Sequence, residues 1–198
     1  MDWQTFDLPD ADVRLAQFCE AGEAERWYAR LHAEIPWERH RLRLFGREVD
    51  SPRLSCWIGD ADATYVYSRV RYVPRAWPDA LLRIRERLRA QCGIEFNGVL
   101  ANRYRDGSDG MGWHSDDEPE IDAGVPIASL SLGATRRFTL RHRADPALRS
   151  AIELEHGSLL LMAGGMQRHW QHALPKTTRA IGPRINLTFR RIAPSTDR

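Results

Sequence analysis

Hydrophobic residues between positions 24 and 35 recur at three- and four-residue steps: Ala24, Trp27, Tyr28, Leu31 and Ile35. That period predicts a helix, and Pro36 ends it. A second helix is expected over 79–92, DALLRIRERLRAQC, with Leu81, Ile84 and Leu88 on one stripe, arginines opposite and Gly93 as its stop. Between the two, residues 39–72 read as short strands separated by turn signals such as DSP and GDAD. From residue 97 the period changes to two. NGVLANRY, PIASLSLGA, RRFTLRH, GSLLLMAGG and RINLTFRRI all read as strands divided by Gly, Pro or Asp turns, with no helical stretch between them. Many short antiparallel strands argue for a sandwich or jelly roll with the two helices outside: a mainly β, α+β fold.

Composition adds bounds. A chain of 198 residues with 42 % apolar and 28 % charged residues is an ordinary globular chain, long enough for one well-buried domain. No repeat, low-complexity tract or linker divides it, so residues 1–198 are expected to form a single domain. Its parts would be a helical segment over 1–38, a recognition region with the supporting helix over 39–96, and a jelly-roll core over 97–192. Cys19, Cys56 and Cys92 have no metal or disulfide spacing. No apolar run is long enough to span a membrane, and MDWQTFDLPD has neither a basic leader nor a hydrophobic segment, so no membrane association and, in a prokaryote, a cytoplasmic setting are expected. A monomer is the default expectation. Net charge is only +2 but uneven: RHRLRLFGR (39–47) and RRFTLRHR (136–143) are basic, and DGSDGMGWHSDDEPEID (106–122) is acidic. This suits a cation site beside a phosphate-binding rim, and equally suits alternating solvated faces.

The candidate chemistry lies in same-face pairs. In an extended segment residues i and i+2 point the same way, roughly 6–7 Å apart, so His114 and Asp116 can converge on one ion. Asn102 and Tyr104 form a second such pair. In RINLTFRRI, Ile185, Leu187 and Phe189 alternate with Arg184, Asn186, Thr188 and Arg190. The polar set is either a wet outer face or the lining of a mouth between sheets. Inside a mouth each arginine needs an anion, since stripping a buried charge of its partner costs about 3–5 kcal/mol. Few carboxylates are spare, so a small dicarboxylate ligand held by bidentate guanidinium contacts is implied. A third metal ligand comes from MQRHWQHALPK, where His169 and His172 both qualify and spacing does not decide. Two histidines and one carboxylate make the facial arrangement that leaves positions open on non-haem Fe(II).

Together NRYRDGSDGMGWHSDDEPE, ASLSLGATRRF, HGSLLLMAGGMQRHWQHALPK and PRINLTFR resemble the AlkB-type Fe(II)/2-oxoglutarate dioxygenases that repair alkylated nucleic acids. The likeness spans about residues 37–192 and includes SPRLSCWIGD and TYVYS. It implies that His114, Asp116 and His172 bind iron, His172 holding the histidine of a W-x-H element. It implies 2-oxoglutarate contacts from Asn102, Tyr104, Arg184, Thr188 and Arg190, with the assignment of arginine to carboxylate open. Asp117 is similar to the acid facing the target base, although alternation turns it away from Asp116. Tyr65 and Tyr67 match an aromatic segment that helps hold a flipped base, and Phe45 to Arg47 occupy the place of a recognition loop. Without the resemblance, these last residues read as strand packing and a turn. Trp113, Trp170 and His169 read as packing, and Glu118 as solvated.

The implied reaction is oxidative dealkylation of bases such as 1-methyladenine and 3-methylcytosine in DNA or RNA. It needs Fe(II), 2-oxoglutarate and O2, with ascorbate as reductant in vitro, and releases succinate, CO2 and formaldehyde. The basic segments 39–47 and 136–143 would hold backbone phosphates. The rivals are a 2-oxoglutarate hydroxylase of protein or small molecules, and a nucleic-acid-binding module with a structural metal.

Overall fold

The computed structural model describes residues 1–44, 47–67 and 70–193. Along the chain lie β1 (Gln4–Phe6), β2 (Ala11–Gln17), α1 (Ala21–Glu34), β3 (Arg41–Leu44), β4 (Arg47–Asp50), β5 (Leu54–Gly59), β6 (Tyr65–Tyr67) and β7 (Val70–Tyr72). They are followed by α2 (Asp79–Cys92), β8 (Gly98–Tyr104), β9 (Met111–His114), β10 (Ile127–Gly133), β11 (Arg136–His142), β12 (Arg149–Leu154), β13 (Ser158–Gly164), α3 (Met166–His169), β14 (Trp170–Leu174) and β15 (Arg184–Arg190).

Both long helices form where the apolar stripes predict. In α2, Ala80, Leu81, Ile84 and Leu88 are all buried. Gly93, at φ +68, closes the helix by donating its N–H to Arg89 O, a left-handed cap that a Cβ would strain. In α1, Ala24 and Leu31 are buried and Trp27 and Tyr28 pack beside them, and the helix ends at the residue before Ile35 and Pro36.

The strands make two antiparallel sheets: a seven-stranded one in the order β1-β2-β13-β10-β15-β8-β5 and a four-stranded one in the order β12-β11-β14-β9. Two hairpins, β3-β4 and β6-β7, stand apart from them. The large sheet buries opposite faces in two apolar layers. Leu130, Leu132, Ile185, Leu187 and Phe189 face α1 and α2 with Leu31, Leu81, Ile84 and Leu88. Val13, Ile127, Leu160 and Met162 face the small sheet with Leu140, Ile152, Leu154 and Trp170. This is the two-layered jelly roll with helices outside that the periodicity predicts.

Two boundaries differ from expectation. Residues 1–38 are not only helical, because β1 and β2 extend the large sheet, β2 pairing along the whole of β13. The large sheet also takes β5 from the segment before residue 97, with Cys56 opposite Ala101 and Trp57 opposite Leu100. The short strands β9, β12 and β14 carry too few alternating apolar residues to announce themselves; pairing with β11 and with each other makes them strands.

Candidate active site

Strand β15 lies in the middle of the large sheet, so its polar face is not wet: all seven residues are buried. Cross-strand register assembles that face. Arg184 lies opposite Tyr104 on β8 and Gly133 on β10, Asn186 opposite Asn102 and Ser131, and Thr188 opposite Leu100 and Ser129. Residues directly opposite in an antiparallel ladder share a face, so three strands line one cavity between the sheets. The same cavity is lined from the small sheet and its loops by His114, Asp116, Phe138 and His172.

His114 closes β9 and sits directly opposite His172 on β14. Their rings meet edge to face, with centroids 4.2 Å apart. Asp116 lies two residues on, beyond the strand, and its Oδ1 is 3.8 Å from His114 Nε2. One ligand atom from each of His114, Asp116 and His172 falls within 4.8 Å of the others. Orientation is fixed from behind. His114 Nδ1–H donates to Gly112 O at 2.8 Å, leaving Nε2 to face Asp116. The Asp116 backbone N–H donates to Gln167 Oε1 at 2.9 Å, and Ser115 Oγ–H donates to Trp170 O at 2.8 Å.

The electrostatics suit a cation. Burial alone would raise the Asp116 carboxyl, but the Arg190 guanidinium at 2.7 Å, with the two imidazoles, holds it well below the usual carboxylate range. Burial, reinforced by His114, lowers His172 to about 3, and burial also lowers His114. The site therefore presents two neutral imidazoles and one carboxylate at neutral pH. His172 Nδ1 is buried without a hydrogen-bond partner, so the donor set fits a divalent transition metal.

The arginine pair divides. Arg190 is not the unpaired cation that composition implies, because it is ion-paired with Asp116. Arg184 is fully buried and, among the described residues, has no carboxylate in ion-pair range. Its NH2 group donates to Ser131 Oγ at 2.9 Å, its guanidinium lies over the Tyr104 ring at 5.4 Å, and its Nε has no partner. Burial draws its pKa down to about 10, against the opposing effect of Tyr104. Asn102 is held by Arg53, whose Nε–H donates to the Asn102 Oδ1 at 2.7 Å, leaving the amide N–H groups to the cavity.

Other predicted positions move. Asp117 is exposed and ion-paired at 2.7 Å with Arg143, outside the cavity, whereas Glu118 lines the cavity with its Oε2 buried and unpartnered. The backbone leaves strand geometry after His114, so alternation no longer assigns faces there. Burial raises the Glu118 carboxyl, and the nearby Arg190 opposes that shift. Tyr65 and Tyr67 lie on β6, opposite Tyr72 and Val70 of β7. Phe45 lies outside the described residues. Trp170 is buried, but Trp113 is on the surface under the Arg141 guanidinium, 4.4 Å from its ring. Arg136 cannot serve a phosphate rim: it is buried and donates to the carbonyls of Asp106, Asp109 and Pro175. Arg53, Gln167 and Ser131 escape sequence reading because their partners are distant in the chain; no periodic signal marks them.

The sequence model of the 2OG-Fe(II) oxygenase superfamily matches residues 12–190. A Mus musculus protein named DNA oxidative demethylase ALKBH2 is 39 % identical over 204 residues, covering 98 % of this chain and 85 % of its own. The Homo sapiens protein of that name is 41 % identical over 200 residues, covering 96 % and 77 %. A Bos taurus protein named alpha-ketoglutarate-dependent dioxygenase alkB homolog 3 is 38 % identical over 186 residues, covering 89 % and 64 %. Among solved structures, that of OsALKBH1 shares the fold at a TM-score of 0.59 with 20 % identity, covering 96 % of this chain and 100 % of that one.

Proposed function

The chain belongs to the 2OG-Fe(II) oxygenase superfamily, and on that premise we propose that it is a DNA oxidative demethylase that removes N-alkyl groups from bases such as 1-methyladenine and 3-methylcytosine. Relatives carrying the demethylase name align with nearly the whole chain, which supports this substrate class. The cofactors are Fe(II) and 2-oxoglutarate, with O2 as oxidant. His114, Asp116 and His172 would hold the iron, which when bound supplies dioxygen activation coupled to decarboxylation of 2-oxoglutarate. One oxygen atom goes to succinate and the other to the alkyl carbon, and the resulting N-hydroxymethyl group leaves as formaldehyde.

The observation that carries this reading is a fully buried guanidinium, Arg184, that has no carboxylate partner among the described residues and shares a cavity with the three metal-type ligands. A structural metal needs no such anion site, whereas a dicarboxylate cosubstrate satisfies it. Arg184 and Tyr104 would take the far carboxylate, and Arg190, already beside Asp116, the metal end, with Asn102 and Thr188 between. A base within a duplex cannot reach this depth, so it enters flipped or from a single strand, at an unstacking cost least for damaged bases. Glu118, facing the cavity, is the acid placed to favour a cationic methylated base; Tyr65, Tyr67 and Phe45 remain proposed contacts on the family pattern. Residues 1–198 act as one catalytic unit, since β2 and β5 complete the sheet that carries β15.

The test is a panel of single- and double-stranded oligonucleotides carrying 1-methyladenine, 3-methylcytosine or ethenoadenine, incubated with Fe(II), ascorbate and 2-oxoglutarate. Formaldehyde matching the methyl loss supports the reading. Succinate without loss of any alkyl group would sink the repair function while leaving the oxygenase.

A further inference from the structure

His169 competes with His172 for the iron triad on spacing alone, and the structure places it in a different cluster. One ligand atom from each of Asp10, His142 and His169 lies within 4.8 Å of the others. Asp10 comes from the turn between β1 and β2, His142 ends β11 and His169 ends α3. The two imidazoles are nearly parallel, 4° between planes and 6.2 Å between centroids, and His142 Nε2 is buried without a partner. Among the described residues, no hydrogen bond or ion pair joins the three side chains to one another.

Neighbouring hydrogen bonds nevertheless hold all three in place. Trp170 Nε1–H donates to Pro9 O at 2.8 Å, tying the Asp10 turn to the start of β14. The Arg143 N–H donates to His169 O at 2.7 Å, tying the end of β11 to the end of α3. Gly165 lets these pieces approach, since a Cβ there would lie 2.4 Å from Asp10 O and 2.6 Å from His169 Cδ2. Asp10 itself is held at φ +59, a left-handed conformation uncommon outside glycine although Asp tolerates it better than most.

We propose that Asp10, His142 and His169 form a second divalent-metal site, separate from the iron triad, that staples the β1–β2 turn to the ends of β11 and α3. Two imidazoles and one carboxylate suit zinc, cobalt(II), nickel or copper, and disfavour calcium and magnesium, which take oxygen ligands. Asp10 is exposed, so a water can complete a four-coordinate shell. The Asp145 N–H donates to His142 Nδ1 at 3.2 Å, a bond that coordination through Nε2 must break. Coordination through Nε2 places the ring proton on Nδ1, and this amide, in an exposed turn, faces water instead.

Equilibrium dialysis against zinc tests the site. The expected stoichiometry is two equivalents for the chain, one for His114→Ala/His172→Ala, which keeps the Asp116–Arg190 pair, and none for that variant with Asp10→Asn and His142→Gln added. Zinc should raise the melting temperature of the double variant and not of the quadruple one. Asp10→Asn alone, a change at an exposed residue, should weaken the second equivalent about tenfold or more. Binding of less than half an equivalent by the double variant, or unchanged zinc affinity in Asp10→Asn, would overturn the proposal.

Discussion

Arg190 and Asp116 form a buried ion pair at 2.7 Å, so the carboxylate of the candidate metal triad is charge-compensated by the strand that also carries Arg184. The candidate metal ligand and the proposed cosubstrate face are thereby one electrostatic unit. Replacing Arg190 by Met leaves a buried carboxylate unpaired and should destabilise the metal-free protein by about 3–5 kcal/mol in urea unfolding. Adding Asp116→Leu should recover much of that loss. No recovery would show that Arg190 matters for packing rather than for charge.

Loss of a triad ligand is expected to abolish turnover. With His114→Ala, succinate and formaldehyde formation should both fall by more than about a hundredfold. The fold should survive, since the His114 side chain is only partly buried and the backbone pairing of β9 with β14 remains. Fe(II) affinity measured with the variant distinguishes a lost ligand from a disturbed strand.

Arg184→Ala separates the two roles open to a buried guanidinium. A charge-assisted contact contributes about 1.5–3 kcal/mol, so the 2-oxoglutarate concentration for half-maximal rate should rise roughly 10- to 100-fold. Affinity for oligonucleotide should stay unchanged. The reverse pattern would assign this arginine to the phosphate backbone.

The acids after His114 should differ in effect. Glu118→Gln should slow turnover of cationic 1-methyladenine about tenfold or more relative to neutral ethenoadenine, because its carboxyl faces the cavity. Asp117→Asn should change both substrates equally and little, because Asp117 is exposed on Arg143. Equal losses from the two variants would remove Glu118 as the reader of base charge.

Acidification should destabilise the metal-free chain in a defined window. His172 is lowered to about 3 by burial, while an unfolded histidine titrates near 6.5. The unfolded state then binds a proton that the folded state refuses, so stability is full above about 6.5 and falls as pH drops towards 3. Thermal melts between pH 8 and 5 should show this slope, and His172→Gln should flatten it.

The helices, the change of period at residue 97 and the three same-face polar pairs were legible because each depends on neighbours two to four positions away. The family signature was legible for the same reason: its elements are short runs such as WHSDD, WQH and RINLTFR. What period and spacing left open was decided by partners far along the chain. Pairing of β14 with β9 put His172, not His169, opposite His114. Burial of β15 between β10 and β8 turned a face that could have been wet into the wall of a cavity. The turn after His114 sent Asp117 to Arg143 and Glu118 inward, contrary to simple alternation. Residue types and local period thus determined which donors and charges this protein owns. Tertiary structure decided how they meet, because convergence depends on strand order and register, and those are set by burying two sheet faces at once.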